Sequence, residues 1–189
     1  MTLTLAAARQ ALRGRIGDTG TPATCTDADL DAAVAAALAQ LDALVPQAGL
    51  VTLAAGGTDR LPLPSAVRRV LAVLRQGVPL EDWAAWGGTL YLGEPVTGSL
   101  ELRCHLARAL PSDPAQPLPL ADAGERAYAL AAAAEALLAR ALALQARRQG
   151  PTGPLEAALA AARVEREQAA EALPRAVRVV GLARATPVG

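Results

Sequence analysis

The side chains best suited to chemistry in this sequence are a single histidine, His105, beside Cys104, and a second cysteine, Cys25. A thiolate nucleophile needs a base within hydrogen-bond reach. The run Ser99–Leu106 alternates polar and apolar residues, as a half-buried strand does, and neighbours on a strand point to opposite faces. Cys104 and His105 are therefore expected on opposite sides, Cys104 as a buried thiol and Cys25 as a loop residue next to a helix cap. A zinc site needs about four Cys, His or carboxylate ligands at workable spacing, and these residues do not supply them. Glu165 and Glu167 are two apart on a predicted helix and point in different directions. Glu167 and Glu171 share a face near Arg163 and Arg166, which reads as a solvated surface rather than paired catalytic acids. Gly14-Arg15-Ile16-Gly17 and Gly56-Gly57 match neither the dinucleotide fingerprint nor the phosphate loop, and the chain has no Lys to follow them. The expectation is a protein that is not an enzyme, with no catalytic residue, no metal and no cofactor.

Composition narrows the class. The 189 residues suit one domain, and 52% are apolar, much of that Ala. Aromatics are 2% and Phe is absent, so the core must be Leu, Val and Ala, which favours closely packed helices. Formal net charge is zero, unlike a protein that grips DNA phosphates. The charge is uneven: residues 1–60 carry four Arg against six Asp, and residues 140–180 carry seven Arg against four Glu. Opposite-signed ends would suit head-to-tail contact between copies. The start MTLTLAAARQALRGR lacks the apolar run of a signal peptide, and no segment reads as a membrane span. Synthesis in the cytoplasm and no membrane partner are expected.

The elements that must position these residues follow from periodicity and breakers. A short helix is predicted over 3–16, ended by the turn cluster Gly17–Pro22. Thr26, with Asp29 three residues on, forms a capping box for a helix carrying Leu30, Val34, Leu38, Leu41 and Val45 until Pro46 stops it. Residues 49–110 change texture. Strands are predicted at Leu50–Leu53, Val67–Leu74, Thr89–Leu92 and Ser99–Leu106, with turns at Gly56–Asp59 and Glu94–Gly98. Leu61-Pro62-Leu63-Pro64 cannot lie in a helix interior or a central strand. This gives an antiparallel sheet of three or four strands. After the proline-rich loop Pro111–Pro119 come helices over about 122–148 and 154–173, then an extended tail, 174–189. The predicted fold is α+β, a bundle of about four helices interrupted by a small antiparallel β insertion, forming one domain over 1–189.

Several of these stretches together resemble the head-to-tail connector (adaptor) proteins of tailed bacteriophages. Thr26-Asp27-Ala28-Asp29-Leu30-Asp31 is similar to the start of that family's second helix. Leu61-Pro62-Leu63-Pro64, followed by Val67-Arg68-Arg69-Val70, resembles its Leu-Pro step into a strand. Trp83-Ala84-Ala85-Trp86-Gly87-Gly88-Thr89-Leu90-Tyr91, running to Pro95, resembles its aromatic stretch and Gly-Gly-Thr-Leu turn. Cys104-His105 stands where the family usually has Tyr-Tyr or Tyr-His, and Asp122 with Glu125-Arg126-Ala127-Tyr128 resembles the start of its long helix. The likeness runs over about residues 3–148.

The resemblance implies a virion structural protein of the neck, assembled in the host cytoplasm. It implies a ring, commonly of twelve copies, docked under the portal protein, bound to head-closure (stopper) or tail proteins, and touching double-stranded DNA in its channel only non-specifically. Helices would pack between neighbouring copies, and the sheet would face the next component, with Trp83, Trp86 and Tyr91 as candidate contacts. The tail would reach the portal. Arg175, Val177, Arg178, Val179, Val180 and Leu182 are β-prone residues with nothing after them to pair with, which independently suits an extended docking arm. The alternatives are a head-closure or tail-completion protein of the same connector, or a small helical ligand-binding or regulatory domain.

Overall fold

The computed structural model of the chain describes residues 2–20, 24–148 and 150–174. It is α+β. Helices α1 (Leu5–Arg15) and α2 (Asp27–Leu44) precede strands β1 (Gln47–Pro62), β2 (Val67–Arg75), β3 (Val78–Pro79), β4 (Trp83–Trp86) and β5 (Thr89–Leu106), and helices α3 (Ala123–Arg147) and α4 (Gly153–Glu171) follow.

Each helix begins where local chemistry starts it. The Thr4 hydroxyl accepts the Ala7 N–H. Thr26 and Asp29 close the expected capping box on α2, and Asp122 accepts the Glu125 N–H at the head of α3. Pro154 sits in the first turn of α4, where its missing N–H costs nothing. The proline-rich loop finishes α1: the carbonyls of Pro114 and Gln116 accept the Ala6 and Leu5 N–H groups. Leu5, Leu12, Leu30, Val34, Leu38, Leu41, Leu137 and a set of α3 alanines fuse into the helical core.

α3 is the central helix, and here one expectation is corrected. By length and composition it is apolar enough to cross a membrane, with mean hydropathy 1.5 in its most apolar window. In the fold 44% of that window is buried. α3 packs against the other three helices, and Glu135 on it is ion-paired with Arg163 and Arg166.

The sheet also departs from expectation, in strand number and length. It has five strands in the order β1-β5-β2-β3, with β4 also on β5. Gly56–Asp59 is not a turn but part of β1, where two register shifts let the strand bend. Glu94–Gly98 is not a turn either; it lies inside an 18-residue β5. Pro95 falls in the bulged stretch, with no residue directly opposite it on β1 and between the β4-paired and β2-paired parts of β5, so no ladder bond is lost. Pro62 is tolerated because β1 is an edge strand. A turn at Ser65-Ala66 joins β1 to β2, and two-residue hairpins stand at Gln76-Gly77 and Gly87-Gly88, all four residues with positive φ, which suits the twist of a tight hairpin.

Along β5 the even-numbered side chains Leu90, Leu92, Val96, Leu100, Leu102 and Cys104 are buried. Most of them join Val70, Val73, Leu61 and Ala55 in an apolar cluster distinct from the helical core. The insertion thus has a core of its own.

Candidate functional site

The junction between insertion and bundle holds the most buried charges among the described residues. Arg108, just past β5, reaches three elements. Its guanidinium donates to Asp42 Oδ1 at 2.6 Å, to the Val45 carbonyl at 2.7 Å, to the Pro119 carbonyl at 3.2 Å and to Glu125 Oε1 at 2.7 Å. Its backbone N–H donates to the other Asp42 oxygen, and Glu125 Oε2 accepts the Ala121 N–H. The Arg108 and Glu125 side chains are each 3% exposed. Such a group is stable only when every polar atom is paired, and no buried side-chain polar atom is left unpartnered among the described residues. The network ties the end of α2, the exit of β5 and the start of α3 into one joint. Sequence reasoning missed it. The only available signal was an arginine in an otherwise apolar stretch, Leu106–Leu110.

The residues singled out for chemistry are arranged as follows. Cys104 is buried and its thiol lies 3.6 Å from the Gly49 carbonyl. His105 sits on the other face, opposite Ala48 and Arg69. Burial pushes the Cys104 thiol pKa up. Burial first, then the charges of Asp18 and Asp29, push the Cys25 thiol up as well. Arg13 and Arg140 pull the Cys25 thiol in the opposite direction without outweighing burial and the two carboxylates. Glu165 pairs with Arg15 of α1. Among the described residues, no three His, Cys, Asp or Glu side chains converge in a way that could hold a metal ion.

The acidic start of α2 is consumed within the chain. Arg9 bridges Asp27 and Asp31, Arg13 bridges Asp18 and Asp27, and Arg140 of α3 meets Asp29. Of these arginines only Arg140 comes from the arginine-rich stretch 140–180, so part of the charge difference between the two ends meets within one chain. Backbone N–H groups of Thr24 and Cys25 hold the Asp18 carboxyl below its ordinary range, and the Thr26 hydroxyl, then Arg140, do the same for Asp29.

The three aromatic residues named for the sheet do not share one surface. Trp83 and Trp86 are three apart on a strand and so face opposite ways. Trp83 is opposite Leu92 and packs on the sheet core. Trp86 is 71% exposed and stacks on Tyr91, ring centroids 5.9 Å apart and 15° from parallel. The Arg60 guanidinium lies 5.9 Å from the Tyr91 ring centre, so a cation–aromatic–aromatic stack stands on the outer face near the Gly87-Gly88 hairpin. The tail residues Arg175, Val177, Arg178, Val179, Val180 and Leu182 lie outside the described residues. Family models and curated proteins were both searched, and neither search found a match to this chain.

Proposed function

We propose that this chain is a non-enzymatic head-to-tail adaptor subunit of a tailed phage, forming a ring under the portal through which DNA passes. The observation that carries this reading is a β insertion with its own core, fixed to a four-helix bundle by the Arg108 joint and presenting the exposed Trp86–Tyr91–Arg60 stack. A helical bundle carrying a sheet with its own core suits a connector, whose parts must keep fixed geometry between two rings. The motif order quoted above supports the same assignment. Under it, the sheet's aromatic stack faces the next component and residues 175–182 dock on the portal.

Mixing the purified chain with a portal ring tests this. Light scattering should report a larger ring, and images of the complex should place the chain on the portal's tail-facing side. No change in size would sink the proposal. Deleting residues 175–189 should weaken capture at least tenfold. Trp86→Ala should leave portal capture intact and weaken recruitment of the next component, as loss of an aromatic anchor does.

A further inference from the structure

Two consecutive arginines, Arg68 and Arg69, stand on β2 where the strand shifts register. Val67 pairs with Leu106 and Arg69 with His105, so Arg68 is an extra residue with no partner across from it. On a regular strand consecutive side chains face opposite ways. A bulge suspends that alternation and re-aims side chains, and here both arginines line one cleft. β2 and β4 pair with different stretches of β5 and leave this cleft, of about 280 Å³, between them. Val67, Val70, Trp83 and Trp86 supply apolar walls, and no carboxylate lines it.

The two positive charges are unanswered within the chain. Among the described residues neither guanidinium meets a carboxylate. The residues outside that set, 1, 21–23, 149 and 175–189, contain no Asp or Glu. Like charges held side by side repel, so a fold that aims both into one cleft without an acid gains from an anion brought by another molecule.

We propose that this cleft binds a short acidic segment of another protein, with carboxylates on Arg68 and Arg69 and an apolar side chain against Val70 and the indoles. A guanidinium matches a carboxylate as a two-pronged donor. The cleft volume suits one or two side chains. A nucleic-acid backbone fits less well, because it needs a basic track. The sheet insertion, residues 47–106, carries five Arg against five Asp and Glu. The site does not depend on the adaptor assignment, and portal capture does not test it.

Both tryptophans of the chain line the cleft, so their fluorescence reports its occupancy. The full chain is titrated with the end-blocked peptide Glu-Glu-Leu-Glu-Glu, with its neutral counterpart Gln-Gln-Leu-Gln-Gln, and with a short oligothymidylate. The acidic peptide should change the fluorescence saturably below about 1 mM, and more weakly as salt rises. The neutral peptide should not. Arg68→Gln with Arg69→Gln should weaken binding roughly tenfold, as loss of two exposed charge pairs does. Both side chains are exposed, so unchanged circular dichroism and melting temperature would establish that this variant folds. Arg75→Gln, at the other end of β2, should bind as the wild-type chain does. No saturable change with the acidic peptide, equal binding of the neutral one, or an unaffected double variant would overturn the proposal. So would tighter binding of the oligothymidylate than of the acidic peptide at the same salt, since the cleft would then be a nucleic-acid contact.

Discussion

At the scale of the residue, the charges that matter are those whose removal leaves a partner stranded. Arg108 is the clearest case, because Asp42, Glu125 and two carbonyls all depend on it. Arg108→Met leaves Glu125 buried without its cationic partner, and should lower unfolding stability by about 3 to 5 kcal/mol in urea titration. The paired variant Arg108→Met with Glu125→Leu should recover part of that loss, as replacing a whole buried network by apolar side chains does. Asp18 makes a different, pH-dependent contribution. Its folded pKa lies below its ordinary value of 3.8 because it accepts the Thr24 and Cys25 N–H groups. The stabilisation is therefore present in full above that value and fades as pH falls through the lower folded pKa. Asp18→Asn should lower the melting temperature at neutral pH, and should flatten its fall below pH about 4 relative to the wild-type chain. A parallel fall in both chains would contradict this.

At the scale of the element, α2 and β5 illustrate how local signals succeed and fail. The capping box of α2 was legible because it is a short-range pattern, with both partners three residues apart. Thr26→Ala should cost about 1 kcal/mol, visible as a lower urea midpoint with an unchanged slope. β5 was legible only in pieces. Leu90, Leu92, Val96, Leu100, Leu102 and Cys104 lie on one apolar face, but the exposed Glu94 interrupts it, and Pro95 and Gly98 are turn formers that break the pattern by eye. Whether such residues turn the chain depends on what lies beside them. Here the flanking strands leave Pro95 without a ladder partner, so the strand continues. The same lesson applies to Gly56-Gly57, which bends β1 without ending it.

At the scale of the whole molecule, the apolar cluster of the sheet is separate from the two clusters of the helices, and sheet and bundle meet at one buried polar joint. This predicts how the chain comes apart. Leu100→Ala, in the sheet core, should cost about 2 to 5 kcal/mol, and hydrogen exchange should quicken mostly in β1, β2 and β5. In the Arg108→Met background, far-ultraviolet circular dichroism should follow helix melting separately from the sheet, with two transitions in place of one. A single coincident transition would mean that contacts other than Arg108 couple the two parts.

Periodicity, caps and breakers by themselves determined four helices, their starts and stops, the α+β order and the alternation of Cys104 with His105. These are features of neighbours in the chain, and steric and hydrogen-bonding rules act on them directly. Only the tertiary structure decided the rest. It brought Asp42 and Glu125 to Arg108 from 66 and 17 positions away, turned Trp83 inward and Trp86 outward, paired the acidic start of α2 with Arg9, Arg13 and Arg140, and put β1 at one margin of the sheet among the described residues. Each of these depends on which segments become neighbours in space. A linear pattern does not encode that, because burial and pairing are properties of the packed elements together.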